Sequence, residues 1–391
     1  MLIRYKKESD GSRTPLAHIY NASEHGIKST WIDLDALWVI RKLKQAGAQA
    51  YIVGGAVRDL ILQKQPKDFD ICTSMTPRQV QRLFYNGRVI GRRFKLVHLT
   101  FKDKIIEVST FRSGVEQPSA GATIYGSIDQ DAKRRDFTIN ALYYDPTDGQ
   151  LIDFNGGMED LKKGRIRSVM PLPDSFIEDP VRMIRAIKYA VSTQFFLQNN
   201  IKRAIRKNAH QLARISSSRL TEEVMKILAS GNAKATIQQL QRYKLLVHLL
   251  PCISVSTKMP EIYASLATLD QSLEIHKKSK EGIPESMKAV MLGSLVAPLL
   301  PIDRTKEPAD LFSESYAFTK ELISPITPPN YDVQKAVEYI LNSQNIEVPP
   351  QSLRFNRPAG PSAAMGYRTR QRRPQQPTPT FRRKGKKRTS T

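Results

Sequence analysis

The sequence predicts an α+β fold: a head built on a mixed sheet with helices, an all-helical neck and body, and a disordered basic tail. Three observations carry this. Between residues 50 and 154, short strand-like runs alternate with glycine turns and short helices. After Gly157, successive segments carry apolar stripes at helical spacing. Residues 352–391 hold twelve Lys or Arg and no Asp or Glu, and prolines break them up.

Along the chain, residues 1–30 carry little pattern and read as an arm. Residues 32–43 have helical periodicity, which Gly47 stops. Residues 50–53 read as a buried strand that turns through Gly54-Gly55 into a short helix over 56–64. Pro66 ends that helix, and 68–73 reads as the next strand. Pro77 opens a helix to about residue 85, and strands follow near 94–101 and 105–111. A loop spans 113–125, and the runs 137–144 and 150–154 form a hairpin around Asp148-Gly149. Helices are expected over 180–190, 202–214, 219–230 and 233–250, and again through most of 260–350 with breaks at 325–329 and 349–350. The expected divisions are an arm (1–30), a head (31–155), a neck (156–254), a body (255–350) and a tail (351–391).

Composition narrows the function classes. With 391 residues and 40% hydrophobic content, the chain can bury cores for about two to three domains. Two cysteines cannot build a disulfide framework, which suits a reducing compartment. No apolar run nears the ~18 residues of a membrane helix, so a cytoplasmic protein with no membrane insertion is expected. The net charge is +24, and half of it lies in the tail. There Arg372, Arg373, Arg382, Arg383 and Lys384 alternate with Phe355, Tyr367 and Phe381, a pattern suited to a phosphate backbone and stacked bases.

Neither a Gly-x-x-x-x-Gly-Lys-Ser/Thr phosphate loop nor a Gly-x-Gly-x-x-Gly fingerprint occurs, and no His/Cys group has zinc spacing. What stands out is Gly54-Gly55 and Arg58, then Asp68 and Asp70. Two carboxylates two apart on a strand project from one face. Hard oxygen donors at that spacing suit Mg²⁺ shared with substrate phosphates, and two such ions clamp the attacking and leaving oxygens of a phosphoryl displacement. Glycines without Cβ let a triphosphate approach the backbone, and Arg58 is placed to pair with a phosphate.

The run YIVGGAVRDLILQKQPKDFDICTS (51–74) resembles the head of the class II nucleotidyltransferases in the DNA-polymerase-β-like superfamily, the group of bacterial poly(A) polymerases and CCA-adding enzymes. Further motifs that match are residues 106–112 with Glu107 and Arg112, residues 134–140 with Arg135, Asp136 and Asn140, and residues 178–185 with Asp179, Arg182 and Arg185. The likeness covers roughly residues 20–255. It implies template-independent transfer of a nucleoside monophosphate to an RNA 3′-OH, with Mg²⁺ on Asp68 and Asp70. The third carboxylate is either Glu107 or Asp136. Gly54, Gly55, Arg58, Arg112, Arg135, Asn140, Asp179, Arg182 and Arg185 would bind the nucleotide. Asp179 also reads as a helix cap before Pro180. A carboxylate beside a guanidinium matches the donor–acceptor order of adenine and cytosine and opposes that of guanine and uracil.

Residues 89–98, with Arg92, Arg93 and Lys95 as phosphate contacts, resemble the segment that marks the poly(A) polymerases. The implied activity is therefore AMP addition from ATP to the 3′ ends of mRNA and other transcripts, with RNA-decay proteins as partners and CCA addition as the alternative. A non-catalytic RNA-binding protein on the same fold is a third reading, which the intact Gly54-Gly55, Asp68 and Asp70 disfavour. Arg219, Glu222 and Glu223 match a neck motif and are expected to position the nucleotide-binding helices. Cys72, where a hydroxyl residue is common, reads as a packed neighbour. Lys188-Tyr189-Ala190-Val191 stands where Arg-Phe-Ala-Ala is usual, and the 113–125 loop looks shorter than in the enterobacterial enzymes. Truncating residues 352–391 is expected to flatten the salt dependence of RNA binding, measured as the slope of log Kd against log salt. An unaltered slope would leave the tail a solubility device.

Overall fold

The computed structural model of the chain describes residues 2–7, 10–91, 95–102, 104–113, 125–278 and 287–350. The tail at 351–391, including Arg372, Arg373, Arg382, Arg383 and Lys384, lies outside them, as do Arg92, Arg93 and most of the 113–125 loop.

Nine strands form one mixed sheet: β1 (Leu2–Lys7), β2 (Arg13–Tyr20), β3 (Ala50–Val53), β4 (Asp70–Thr73), β5 (Gly87–Ile90), β6 (Leu96–Thr100), β7 (Ile105–Thr110), β8 (Leu142–Asp145) and β9 (Gln150–Asp153). Their order is β1-β2-β9-β8-β3-β4-β7-β6-β5. Within this sheet β4 and β7 run parallel, in the register Asp70↔Glu107, and the other neighbours pair antiparallel. Residues expected as an arm thus supply β1 and β2, which extend the sheet from β9. Most of their side chains are exposed, so the apolar alternation that betrays a strand is missing.

Local signals explain the helices. Asp33 accepts from the Asp35 and Ala36 N–H groups at 2.9 and 3.2 Å and starts the Leu34–Gln45 helix, which buries Ala36, Val39, Ile40 and Leu43. Thr76 and Gln79 form a capping box with Pro77 in the first turn of Pro77–Leu83. The expected strand at 137–144 is instead interrupted by a 3₁₀ turn, Thr138–Asn140, and joins the sheet only from Leu142. The expected helix at 233–250 breaks after Arg242, where Lys244 adopts φ 58°.

The neck is helical apart from a short parallel pairing of Arg165–Ile166 with Phe196–Leu197. Its main helices are Val181–Thr193, Asn199–Asn208 and Ser217–Leu228. In the body, Met259–Lys278, Met287–Val296, Pro308–Leu322 and Asn330–Ser343 are helical as expected.

Alternation along the central strands sorts two cores. Ile52, Ile71, Ile106 and Val108 enter a large core that continues through the neck into the body. Tyr51, Val53, Cys72, Phe111 and Tyr143 enter a small core on the other face. Asp70 and Glu107 share the parity of that smaller core and stand at its edge. No helix of the described residues is long and apolar enough to cross a membrane.

Candidate active site

Gly54 ends β3 with φ 72° and ψ −135°, a conformation that L side chains rarely adopt. A Cβ there would stand 3.8 Å from Asp70 Oδ2 and 4.0 Å from Arg135 Nη1, so the bare glycine faces both groups. Asp70 opens β4 directly across from Val53, and Glu107 is its neighbour on the other side. Asp68 precedes β4 rather than lying in it, as the sequence had suggested, and it is exposed.

The Asp70 side chain reaches solvent, yet protein atoms crowd it into a crevice. Burial, then the charges of Glu107 and Asp68, push its carboxyl up to about 6 from 3.8. Glu107 also meets His98 Nε2 at 3.2 Å. Among the described residues, no three His, Cys, Asp or Glu side chains already converge on a common metal position. What the strands bring together is a set of mutually repelling hard oxygen donors beside a glycine turn.

Behind this turn lies a residue the motif reading passed over. Asp131 is fully buried and accepts from Arg134 Nε and Nη2 (3.0 and 2.8 Å), Arg135 Nε and Nη2 (3.2 and 3.0 Å), the Tyr143 hydroxyl (2.7 Å) and the Arg112 backbone N–H (3.2 Å). Burial alone would raise its carboxyl, but Arg135 and Arg134, with Tyr143, outweigh this and hold it well below the usual carboxylate range. The arm of Arg135 left over, Nη1, is the one near Gly54. Burial and then Arg134 push the Arg112 guanidinium down to about 10. Cys72 Sγ lies 3.7 Å from Asp131, and burial pushes its thiol up to about 12, so it is a packed, protonated neighbour.

A second chain of contacts ties the head to the neck. Arg58 is buried, pairs with Asp59 at 2.7 Å and donates to Asn140 Oδ1 at 2.9 Å. Asn140 donates to Asp136 at 3.4 Å, and Asp136 pairs with Arg185 at 2.8 Å. Arg185 donates to the Tyr189 hydroxyl at 2.7 Å, and the Arg58 guanidinium lies 5.2 Å from the Tyr189 ring centroid. Of the two candidates for third carboxylate, Glu107 therefore stands beside Asp70, while Asp136 faces the Val181–Thr193 helix.

Asp179 and Arg182 do not face each other as a base-reading pair here. Asp179 accepts from Arg219 at 3.0 and 3.1 Å and from the Val181 N–H at 3.3 Å; it closes the Asp174–Glu178 helix, and Pro180 rather than Asp179 is the N-cap of Val181–Thr193, one residue later than the sequence suggested. Arg182 donates to Glu178, to Ser175 and to the Arg134 carbonyl. Lys188 and Glu223 form a buried pair at 2.9 Å between neck helices, whereas Glu222 pairs with Lys226 on the surface. Lys95 is exposed ahead of β6.

Residues 50–167 match the family described as Poly A polymerase head domain, and residues 194–256 match one described as Probable RNA and SrmB- binding site of polymerase A. Poly(A) polymerase I of Salmonella typhimurium is 41% identical over 266 residues, which is 64% of this chain and 57% of the relative. A CCA-adding enzyme of Bacillus licheniformis is 38% identical over 219 residues, 54% of this chain and 55% of that one. The chain thus spans under three fifths of the length of either relative. The crystal structure of the Bacillus stearothermophilus CCA-adding enzyme in complex with CTP superposes with a TM-score of 0.51 at 26% identity, covering 80% of this chain and 83% of that one. The mixed α+β head and helical C-terminal region expected from the sequence agree with these relatives.

Two measurements check this geometry. Folded Asp70 keeps a proton that the unfolded chain loses near pH 3.8, so its contribution to stability falls as pH rises from there to about 6. In the metal-free protein, its carboxyl ¹³C resonance should titrate near 6, and Glu107→Gln should lower that midpoint. An unmoved midpoint would mean that the Glu107 charge does not reach Asp70. Asp131→Asn should cost ~3 kcal/mol in urea denaturation because buried guanidinium groups lose their anion. A loss below ~1 kcal/mol would show that the cluster holds together without that charge.

Proposed function

We propose that the chain adds AMP from ATP to RNA 3′ ends without a template, releasing pyrophosphate. The observation that carries this reading is the parallel register of Asp70 with Glu107, set beside Asp68 and under the bare Gly54 backbone. Oxygen donors that repel one another fit a hard divalent cation, which leaves positions open for phosphate oxygens. Asp68 and Asp70 would hold Mg²⁺, with Glu107 as the third carboxylate. When bound, the ion supplies polarisation of the α-phosphate and neutralisation of charge on the attacking and leaving oxygens.

The rest of the work is alignment and charge placement by this chain's own groups. Gly54 and Gly55 let the triphosphate approach the backbone. Arg135, held through Nε and Nη2 by Asp131 and Tyr143, turns Nη1 toward that approach as a fixed positive charge. Arg58 is spoken for by Asp59 and Asn140, so its part is to keep the glycine turn and Asn140 in register rather than to swing onto a phosphate. Asp136, joined to Arg185, couples the head to the neck helix that carries Asp179 and Arg182.

Base reading by Asp179 and Arg182 requires partner exchange: Asp179 must leave Arg219, and Arg182 must leave Glu178. Both outgoing side chains are half exposed, at 51%, so these ion pairs are cheap to break. Adenine and cytosine then fit the freed carboxylate and guanidinium. RNA as partner is supported by the family matched over residues 194–256. Contact with RNA-decay proteins is a further part of the proposal.

The second reading is CCA addition, favoured by the 38% identity to the Bacillus licheniformis relative. A generic oligoribonucleotide and a tRNA lacking its end, each with ATP alone and with ATP plus CTP, separate the two. Long A-tails on the generic RNA are expected, and a stop after three nucleotides on the tRNA would support the other. Asp70→Asn should lose at least about a hundredfold in transfer with RNA binding retained. Unchanged turnover would remove the carboxylate assignment.

A further inference from the structure

The β1–β2 hairpin, residues 2–20, lies outside both matched family segments, 50–167 and 194–256, and β1 is an edge of the nine-stranded sheet. One row of paired residues crosses the sheet from Asp70 through Val53, Tyr143, Ile152 and Ile19 to Leu2. From β4 to β1 is five strand spacings, which sets Leu2 roughly 24 Å from Asp70 along that row. β9 pairs with β2 only from His18 to Tyr20. Residues 13–17 therefore run on past the row, with β1 as their sole strand neighbour among the described residues. They do so on the side where β3 runs into Gly54, and the overhang reaches roughly 15 Å at ~3.3 Å per residue.

The overhang is basic and bears exposed apolar side chains. Arg4 pairs with Ala17, which enters the small core, so Arg4 stands on the sheet face that carries Asp70 and Glu107. Burial, then Asp145, raise the Tyr51 phenol on that face, and the Arg4 charge opposes them. Arg4 and Arg13 are exposed and make no ion pair among the described residues. Leu2 is 60% exposed and the Tyr5 ring 52%. Lys6 and Lys7 add to the charge, while Glu8 and Asp10 fall between the two strands in sequence. Asp10 is already engaged by the Ser12 N–H at 2.9 Å and hydroxyl at 2.6 Å.

We propose that the β1–β2 hairpin is an arm that holds the RNA strand upstream of its 3′ end, away from the transfer site. The proposal rests on RNA as substrate in the reading above and adds a contact that reading does not contain. Arg4 and Arg13 meet backbone phosphates, and a base of any identity stacks on the Tyr5 ring. Pairing β1 with a second copy of itself would instead bring Arg4, Lys6 and Lys7 of both copies together, and like charges on facing strands repel. At this distance from Asp70 the arm tightens long strands and leaves the reacting end alone. A primer of a few nucleotides seated at the carboxylates does not reach it.

The test uses the full chain carrying Arg4→Gln with Arg13→Gln, two exposed positions outside the cores. For an oligoribonucleotide of about 20 residues, KM should rise about tenfold, while KM for ATP and for a trinucleotide primer stay unchanged. In fluorescence anisotropy without ATP, the slope of log Kd against log salt should shrink by about 1.4, two phosphate contacts at ~0.7 each. Tyr5→Ala should weaken long-strand binding severalfold, and Tyr5→Phe should restore it because a ring can still stack. Long-strand KM and salt slope both unmoved in the double variant would overturn the arm and leave the transfer reading standing. An equal rise in KM for the trinucleotide would overturn it too, by placing the effect at the transfer site. With RNA binding unmoved, a change in sedimentation would give the hairpin to a second copy, and lost binding of poly-glutamate would give it to an acidic protein segment. Either result overturns the proposal. A flattened salt slope for a chain that incorporates no nucleotide would support the arm and defeat the transfer reading.

Discussion

One pairing underlies the site: β4 beside β7, parallel, with Asp70 next to Glu107. Two carboxylates on neighbouring strands, with Asp68 just ahead, carry like charges at the end of a sheet where water is partly excluded. The fold pays for this in the raised Asp70 carboxyl, which burial and those neighbours push to about 6. A structure built only for stability would place a cation there from its own side chains. Instead the nearest guanidinium, Arg135, is anchored away by Asp131 and Tyr143 and presents one arm toward the glycine turn. The unmet charge is thus left for a ligand to meet.

Two polar assemblies then fix the surroundings. In the buried cluster, Asp131 gathers donors from Arg134, Arg135, Tyr143 and the Arg112 backbone, so one buried carboxylate fixes several elements at once. In the other, Asp59, Arg58, Asn140, Asp136, Arg185 and Tyr189 run from the helix after the glycine turn to the neck. Arg182 adds a link between them, because it donates to the Arg134 carbonyl. The glycine turn and the neck helix are therefore mechanically joined. Arg219 on Asp179 and Glu178 on Arg182 sit at the exposed end of that joint, where ion pairs contribute least.

Much of this was legible in the sequence, for a physical reason. Gly54, Gly55 and Asp70 were legible through backbone freedom and strand parity, which spacing reports directly, whereas Asp68 lies ahead of the strand that parity assumed. Glu107 was legible as a strand carboxylate, but that it and not Asp136 stands beside Asp70 needed the register of β7 on β4. Asp131 was not read because its partners lie at positions 112, 134, 135 and 143 and meet only after folding. β1 and β2 were hidden because edge strands with exposed faces show no alternation. The partners of Arg182, Asp179 and Arg58 were equally out of reach, since a guanidinium's spacing says nothing about which carboxylate it finds.

The most direct test of the account is divalent-ion binding itself. Mn²⁺ titrated into the metal-free protein and followed by electron paramagnetic resonance should bind the unaltered chain, more weakly as pH drops below about 6, where Asp70 takes up its proton. Asp70→Asn should abolish that binding. Equal Mn²⁺ affinity in the two proteins, with no dependence on pH across that range, would contradict the account.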